Sequence, residues 1–326
     1  MNSTVHELNS LGTSTKAKKT KFQLIKKRFL RERQIWLICI PILIFIGVIQ
    51  YIPMMGDIIA FMNYIPGKSI WSSEWVGLQH FKTFFSSPDF SLIIRNTLVI
   101  GGLNLLIGFP APIILALLLN EVRSKTFRKI VQSTSYLPYF LSWVVIASIA
   151  FTLFGNEGVL NEFLQRFGFS DQPISFLGDG GKYYWSIITS LNVWKGVGWN
   201  SIIYLSAITS VDPELYDAGK VDGLGRFKSM WHITLPSIRP TIVVLWILGL
   251  GNIFINPSNL EAPLLIGNAQ TRDYSEVIDT YVFTYGLQLG NYSFATAIEL
   301  IKGIIALSLV IGSNRFTKKV MDTSII

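Results

Sequence analysis

Charged residues are scarce in this sequence. Of its 326 residues only 15% are Asp, Glu, Lys or Arg, whereas 50% are hydrophobic. The mean hydropathy is +0.44. Soluble globular domains carry about 25% charged residues, so this composition excludes the soluble globular class. The nine Trp and twelve Tyr residues suit a protein with aromatic belts at the two surfaces of a membrane.

Cysteine and histidine are scarce as well. The single cysteine, Cys39, lies inside an apolar run, which excludes a disulfide framework and a cysteine-built metal site. The histidines are widely separated in the sequence, so neither a zinc site nor a histidine-based catalytic set is indicated. They are His6, His80 and His232.

One segment resembles part of a nucleotide-binding motif. Gly67-Lys68-Ser69 has the letters that end a phosphate-binding loop, but that motif requires Gly at the position of Met62. We therefore interpret this segment as an ordinary loop. Because catalytic motifs are absent, the chain is predicted not to be an enzyme and to bind no cofactor itself.

The N-terminal region differs from the rest of the chain. Residues 1–20 are rich in Ser, Thr and Lys, which predicts disorder. Apolar and basic residues alternate in Lys21–Arg33, which fits either a basic amphipathic helix on an anionic leaflet or a flexible basic anchor. No cleavable signal peptide is predicted, because the first apolar run begins near Ile35 and continues for about 20 residues. We predict a cytoplasmic tail over 1–34 and a transmembrane domain over 35–326.

Six apolar stretches are long enough to cross a bilayer, whose hydrocarbon core of about 30 Å takes about 20 helical residues. Proline within these stretches, as at Pro41, Pro110 and Pro112, is tolerated because neighbouring groups satisfy the freed carbonyls. The sequence therefore predicts an all-α integral membrane protein with six spans, at about 35–53, 92–119, 137–155, 183–209, 241–257 and 292–312.

Lys and Arg are distributed unevenly between the loops. The segments on one side of the predicted membrane hold 20 of them and those on the other side hold five. Because basic loops stay in the cytoplasm, both termini are predicted to be cytoplasmic, and the net charge of +8 reflects topology rather than nucleic-acid binding. The basic segments are 1–34, 120–136, 211–240 and 313–326, and the opposite ones are 54–91, 156–182 and 258–291.

The cytoplasmic loop 211–240 begins with signals for a helix. Asp212 can cap this helix, and Pro213 and Glu214 suit its first turn. The helix is predicted to run to Asp222.

The same loop is predicted to contain a turn and a second helix. The first helix breaks at Gly223, where a positive φ costs glycine little. The second helix is predicted over Phe227–Thr234 and should end before Pro236.

The first helix of this loop has groups suited to docking a soluble partner. Ala218 and Gly219 are small enough for close approach, and Asp217 offers a carboxylate to a basic surface. The alternative is a solvent-exposed helical hairpin without a partner. We predict a docking element formed by Glu214, Asp217, Ala218, Gly219, Asp222 and Gly223.

Some polar residues fall within the predicted spans, where ionisable groups are costly and therefore functional candidates. Glu299 and Lys302 are three residues apart on one helix face and can pair. Aromatic rings and amides can bind the faces and hydroxyl groups of a polar solute, although a purely structural role in holding the bundle together is the alternative. The predicted pathway residues are Asn104, Asn192, Trp194, Lys195, Trp199, Asn252, Glu299 and Lys302.

The docking element carries a resemblance to a known family. Asp217-Ala-Gly-Lys-Val-Asp-Gly223, followed by Ile233-Thr-Leu-Pro236, resembles the "EAA" loop of ABC-importer permeases, E-A-A-x-x-D-G-A and then I-x-L-P. From about Phe29 onward the chain is similar to carbohydrate permeases, particularly those for oligosaccharides from polysaccharide breakdown, including aldouronates and alginate fragments. This match rests on Trp75–Leu78, His80-Phe81, Asn96–Leu98, Phe109–Pro112, Leu117–Glu121, Tyr136–Pro138, Ser142–Val145, Trp194–Trp199, Ser201–Tyr204 and Ser275–Val282.

The resemblance implies a fold and a function. The fold is a type I, maltose-importer-like permease with six transmembrane helices and a cytoplasmic coupling helix in 211–240. The chain would be a permease subunit of an ATP-driven oligosaccharide importer in the bacterial cytoplasmic (inner) membrane. Its implied partners are a second permease, two ATP-binding subunits that hold ATP and Mg, an extracytoplasmic solute-binding protein, the oligosaccharide and membrane lipid.

The chain departs from the family pattern at several positions. Asp217 replaces the usual Glu, Gly219 the second Ala, and Leu224 the Ala after Asp-Gly. The segment Asn256–Glu261 stands where this subgroup more often has a G-F-E-Q-like sequence, which leaves the identity of the sugar open.

Two other functions compete with this interpretation. A secondary transporter driven by an ion gradient could use Glu299 and Lys195 as coupling charges, but that class usually shows paired internal repeats, which this sequence lacks. A membrane-embedded enzyme would need a cluster of His, Asp or Glu near one membrane face, and the sequence has none.

Overall fold

The computed structural model describes residues 32–256 and 258–321, most of them helical. Contacts divide the chain into two units at Asp57 and Ile58. The described part of the first unit contains helix α1 (Arg33–Ile46), a π-helical turn (Gly47–Tyr51) and α2 (Ile52–Met54), and most of its apolar side chains are exposed. The predicted tail 1–34, including the amphipathic helix, lies outside the described residues except at its last three positions.

The second unit consists of helices and their connecting loops, with one two-stranded antiparallel sheet in its described part. The strands β1 (Met62–Asn63) and β2 (Glu74–Trp75) pair Met62 with Trp75. The helices are α3 (Gln79–Phe85), α4 (Phe90–Leu103), α5 (Pro110–Glu121), α6 (Lys125–Tyr136), α7 (Trp143–Phe154), α8 (Val159–Arg166), α9 (Tyr184–Thr209), α10 (Pro213–Val221), α11 (Arg226–Ser229), α12 (Leu235–Ser237), α13 (Arg239–Ile255), α14 (Ser258–Ile266), α15 (Arg272–Ser275), α16 (Ile278–Val282) and α17 (Tyr292–Met321).

Within the described residues, four helical segments are long and apolar enough to cross a membrane. A bent pair, Arg226–Ser237 and Arg239–Ile255, with 64° between its halves, makes a fifth span if it is counted as one. The predicted span 183–209 is a continuous helix, α9, of 26 residues, but its Lys, Asn and Ser residues keep it out of this count. The four segments are Arg33–Phe61, Phe90–Glu121, Trp143–Arg166 and Tyr292–Lys319.

Proline interrupts these helices less than the sequence predicts. The helix expected to end before Pro236 continues through it to Ser237, so that boundary was wrong. A π-helical turn, Met230–Thr234, ends two residues before Pro236. The wider winding of a π-helix makes room for the proline ring, and proline has no backbone N–H to donate to the helix. The π-helical turns Gly47–Tyr51 and Asn104–Gly108 likewise end two residues before a proline.

The second unit has a core in three clusters, and α9 contributes to two of them. One cluster joins α7, α9 and α14, and another joins α5 and the C-terminal half of α9. The third joins α4, α13, α16 and α17. Glycine allows α9 to pack closely against α6, because a Cβ at Gly198 of α9 would lie 2.0 Å from the carbonyl oxygen of Ser135 in α6.

Candidate functional site

Asparagine side chains line two adjoining cavities within the helix bundle. The larger cavity is about 860 Å³ and the smaller about 300 Å³. Five residues line both, so we treat the two as one region, the asparagine cavity. The shared residues are Asn104, Gly108, Asn200, Asn252 and Asn256, and Asn192 and Asn259 each line one of the two.

The first wall of the asparagine cavity is the π-helical turn Asn104–Gly108 between α4 and α5. Its first and last residues, Asn104 and Gly108, line both cavities. The side-chain oxygen Oδ1 of Asn104 is buried and accepts no hydrogen bond from the described residues. An unsatisfied buried acceptor is costly, so this oxygen is available to a donor that enters the cavity.

The second wall is the break between α6 and α7. A short 3₁₀ segment, Leu137–Phe140, replaces regular helix here, and α7 restarts at Trp143 with Ser142 as its N-cap. The ammonium of Lys195, on α9, donates to the carbonyl oxygens of Tyr139, at 3.0 Å, and Leu141. Irregular backbone at membrane depth is tolerated when it borders a cavity and its polar groups are satisfied, which Lys195 achieves.

The third wall is the start of α14, which follows directly on α13. The indole Nε1 of Trp143 donates to Oγ of Ser258 at 3.2 Å, which fixes α14 against α7. The side chain of Asn259 donates to the carbonyl oxygen of Ile253 at 2.9 Å. Glu261, one turn into α14, lines the larger cavity and interacts electrostatically with Lys195.

The structure brings together half of the residues predicted for the pathway. Asn104, Asn192, Lys195 and Asn252 line the asparagine cavity. Trp194 is 41% exposed and lines neither of its two parts, although it adjoins Lys195 in the chain.

Trp199 lies beside the asparagine cavity rather than on its wall. Its ring stacks on that of Tyr139, with 4.6 Å between centroids and 6° between the ring planes. Tyr139 itself lines the larger cavity, so the stacked pair stiffens this part of the rim.

Glu299 and Lys302 form an ion pair elsewhere in the bundle. Nζ of Lys302 lies 2.7 Å from Glu299 and also 2.7 Å from Asp279 of α16, a partner that the sequence did not indicate. None of the three lines either part of the asparagine cavity. Their contacts join α16 to α17.

The sequence prediction did not name four amide or acidic residues of the asparagine cavity, although three of them lie in the segment Asn256–Glu261 that departs from the family pattern. Two could have been found by helical spacing, because Asn200 follows Asn192 by two turns and Asn256 follows Asn252 by one. The others, Asn259 and Glu261, depend on α14 folding back against α7, which spacing does not show.

A second candidate site is the loop 211–240 with α10. Asp212 caps α10 by accepting from the backbone N–H of Glu214 at 2.9 Å. At the other end, the N–H of Leu224 donates to the carbonyl of Gly219 at 2.8 Å, and Gly223 has φ of 75°. These contacts form a Schellman motif, so the predicted break of the helix at Gly223 is confirmed.

The residues predicted for docking differ in exposure. Asp217 is exposed and pairs only with Lys220 of its own helix, at 2.8 Å, among the described residues. Ala218, Asp222 and Glu214 are also exposed. Gly219 is buried instead, against Ile233 and Leu224, so its small size serves packing within the loop.

Comparison with known proteins places this architecture in a family. The family described as "Binding-protein-dependent transport system inner membrane component" matches residues 108–320, which include the loop 211–240 and most of the asparagine cavity. The protein LplB of Bacillus subtilis is 42% identical over 290 residues, with 89% of this chain and 90% of LplB covered.

Two further similarities concern named sugar transporters. The polygalacturonan/rhamnogalacturonan transport system permease protein YteP of Bacillus subtilis is 43% identical, with 93% of each chain covered. A chain of a bacterial alginate ABC transporter, crystallised with an alginate pentasaccharide-bound periplasmic protein, superposes with a TM-score of 0.82. That chain is 37% identical, and the match covers 92% of this chain and 99% of the other. The chain described here therefore belongs to the family of binding-protein-dependent transport system inner membrane components.

Proposed function

We propose that this chain is a permease subunit of an ATP-driven oligosaccharide importer and that the sugar crosses the membrane through the asparagine cavity. The observation that carries the proposal is the lining of that cavity by six asparagines within a bundle of largely apolar helices. Relatives named as polygalacturonan/rhamnogalacturonan and arabinooligosaccharide permeases support the class of substrate.

The chemistry of asparagine fits sugars. Each side-chain amide both donates and accepts hydrogen bonds, as each sugar hydroxyl does. Tyr139 and Trp143 add aromatic surface to the larger cavity. Volumes of about 300–1,000 Å³ are typical of sites that hold small molecules, and the larger cavity falls in this range at about 860 Å³.

The proposal includes partners for this chain. An exposed α10, capped at both ends, provides a rigid surface on which cytoplasmic ATPase subunits would dock through Glu214, Asp217, Ala218, Asp222 and the turn at Gly223. ATP and Mg would bind to those subunits. A second permease would complete the pathway, and an extracytoplasmic solute-binding protein would deliver the sugar, with both termini of this chain in the cytoplasm.

The proposed mechanism is alternating access. Closure of the ATPase subunits would push on α10. The first half of the bent pair, Arg226–Ser237, would carry this movement to the second half, α13. Asn252 of α13 and Asn256, which follows that helix, line the asparagine cavity. The helices around the cavity would then rock between inward- and outward-facing arrangements.

The proposal is tested by uptake of labelled oligosaccharides into proteoliposomes that contain the complete importer. Asn252→Leu and Asn200→Leu should each lower kcat/KM for uptake about five- to a hundredfold, because each leaves sugar hydroxyls without a partner. Asn156→Leu, at an exposed position outside the cavity, is the matched control and should leave uptake unchanged. Uptake that persists without ATP and stops when an ion gradient is collapsed would instead identify a secondary transporter.

A further inference from the structure

Charge on the wall of the asparagine cavity is limited to two side chains. Among the described residues that line its two parts, only Lys195 and Glu261 belong to the types Asp, Glu, Lys, Arg or His. The remaining polar groups are amides, hydroxyls and one indole. Any discrimination between charged and neutral sugars at this wall therefore depends on these two residues.

Lys195 has most of its hydrogen-bonding capacity taken by the chain. Two of its three N–H donors go to the carbonyl oxygens of Tyr139 and Leu141. The rings of Tyr139 and Trp143 lie 5.8 and 5.9 Å from its nitrogen, which is within the range of cation–π attraction. Its ammonium is thus held in place as part of the wall.

Glu261 is in the opposite situation. Its side chain is exposed toward the cavity, and the described residues provide no hydrogen bond or ion pair to its carboxylate within contact distance. Its charge interacts with Lys195 at longer range and is favoured by its position in the first turn of α14. The cavity therefore contains a fixed cation and a carboxylate whose oxygens are free to accept.

We infer that Glu261 is the residue that sets the charge preference of this permease, by accepting hydrogen bonds from sugar hydroxyls and repelling carboxylates of the sugar. The inference rests on the proposed function, since it concerns the same cavity. Two adjacent sugar hydroxyls can both donate to the same carboxylate. Such charge-assisted hydrogen bonds are about twice as strong as neutral ones. A sugar carboxylate can only accept hydrogen bonds. Beside Glu261 it is therefore repelled by a like charge and receives no hydrogen bond.

The substitution Glu261→Gln tests this inference because it removes the charge and keeps the shape. The probes are trisaccharides with a single uronic acid residue and the methyl esters of the same trisaccharides, so that each pair differs in charge at one functional group. The uronic acid is of the glucose, galactose or mannose series. Uptake of both is measured in the complete importer with the same solute-binding protein, so that the preference of the binding protein cancels. Glu261→Gln should raise the acid-to-ester ratio of kcat/KM at least about fivefold, as expected for loss of one charge repulsion across a partly hydrated cavity.

Two matched variants separate a local effect from a general one. Glu157→Gln removes the same charge from an exposed position that lines neither part of the cavity, and it should leave the ratio unchanged. Glu261→Asp keeps the charge and should keep the wild-type ratio.

Each outcome of the experiment decides one question. If Glu261→Gln transports with the wild-type ratio, Glu261 does not select for charge and the inference is wrong, although the proposed function stands. If the wild-type importer takes up no trisaccharide of any series, the proposed function is wrong. If Glu261→Gln does not assemble, the wild-type ratio is measured between about 0.05 and 0.5 M salt, where screening should raise it. A ratio that is independent of salt would then contradict the inference.

Discussion

At the scale of single residues, two glycines give the loop 211–240 its shape in different ways. Gly223 adopts φ of 75°, a conformation that other residues reach only with strain, and it ends α10. Gly219 has ordinary helical geometry but is buried, and a Cβ there would lie 2.7 Å from Cδ1 of Ile233. The family pattern has Ala at this position, and the tip of the isoleucine side chain is flexible enough to move for one methyl group.

We therefore expect Gly219→Ala to be nearly neutral and Gly219→Leu to be damaging. Alanine gains about 0.5–1 kcal/mol of helix stability over glycine, which offsets the small displacement of Ile233. Leucine must instead separate α10 from Met230–Thr234, and overpacking of this kind costs about 1–3 kcal/mol. The measurement is thermal unfolding of the purified complex. Ala218→Leu, the same enlargement at the exposed neighbouring position, is the control, and equal unfolding temperatures for both leucine variants would contradict the packing argument.

At the scale of elements, interrupted helices build the site. The asparagine cavity is bordered by the π-helical turn of Asn104–Gly108, by the 3₁₀ break after α6 and by the start of α14. Hydropathy predicted that these regions are helical, and Phe90–Glu121 does continue through Pro110 and Pro112 as expected. It could not predict the π-helical turns or the fold-back of α14, because both depend on backbone geometry and on contacts between distant residues.

Lys195→Met should destabilise the break between α6 and α7. Methionine has a similar length but no donor, so the carbonyls of Tyr139 and Leu141 would each lose a hydrogen bond within the membrane. Each unsatisfied carbonyl costs about 1–3 kcal/mol when buried and less where water reaches it, so we expect a total loss of about 1–3 kcal/mol. Thermal unfolding followed by tryptophan fluorescence measures this loss. Lys182→Met, at a loop position, is the control, and a Lys195→Met complex as stable as wild type would show that water or lipid replaces the ammonium.

At the scale of the whole molecule, polarity is divided between helices rather than spread evenly. α9 is long enough to span the membrane, yet it is too polar for the hydropathy count because its Asn192, Lys195 and Asn200 line the cavity. A helix that lines a cavity inside the bundle carries polar side chains on that face. In α1, by contrast, no side chain is buried and most apolar ones are exposed. The arrangement of segments across the membrane therefore depends on the distribution of Lys and Arg as well as on hydropathy.

That distribution makes a prediction about which surfaces face outward. In a Cys39→Ser background, single cysteines at Ser69 and Ala269 should react with a membrane-impermeant maleimide added to intact cells. Cysteines at Lys228 and Lys318 should react only after the membrane is opened. The segments on their side of the membrane contain 20 Lys and Arg residues and those on the other side contain five, and the more basic side is the cytoplasmic one. All four positions are exposed, so access through the membrane alone decides the result. Labelling in the opposite sense would place α10 outside the cell, where no ATPase subunit could reach it, and the proposed coupling would fail with the topology.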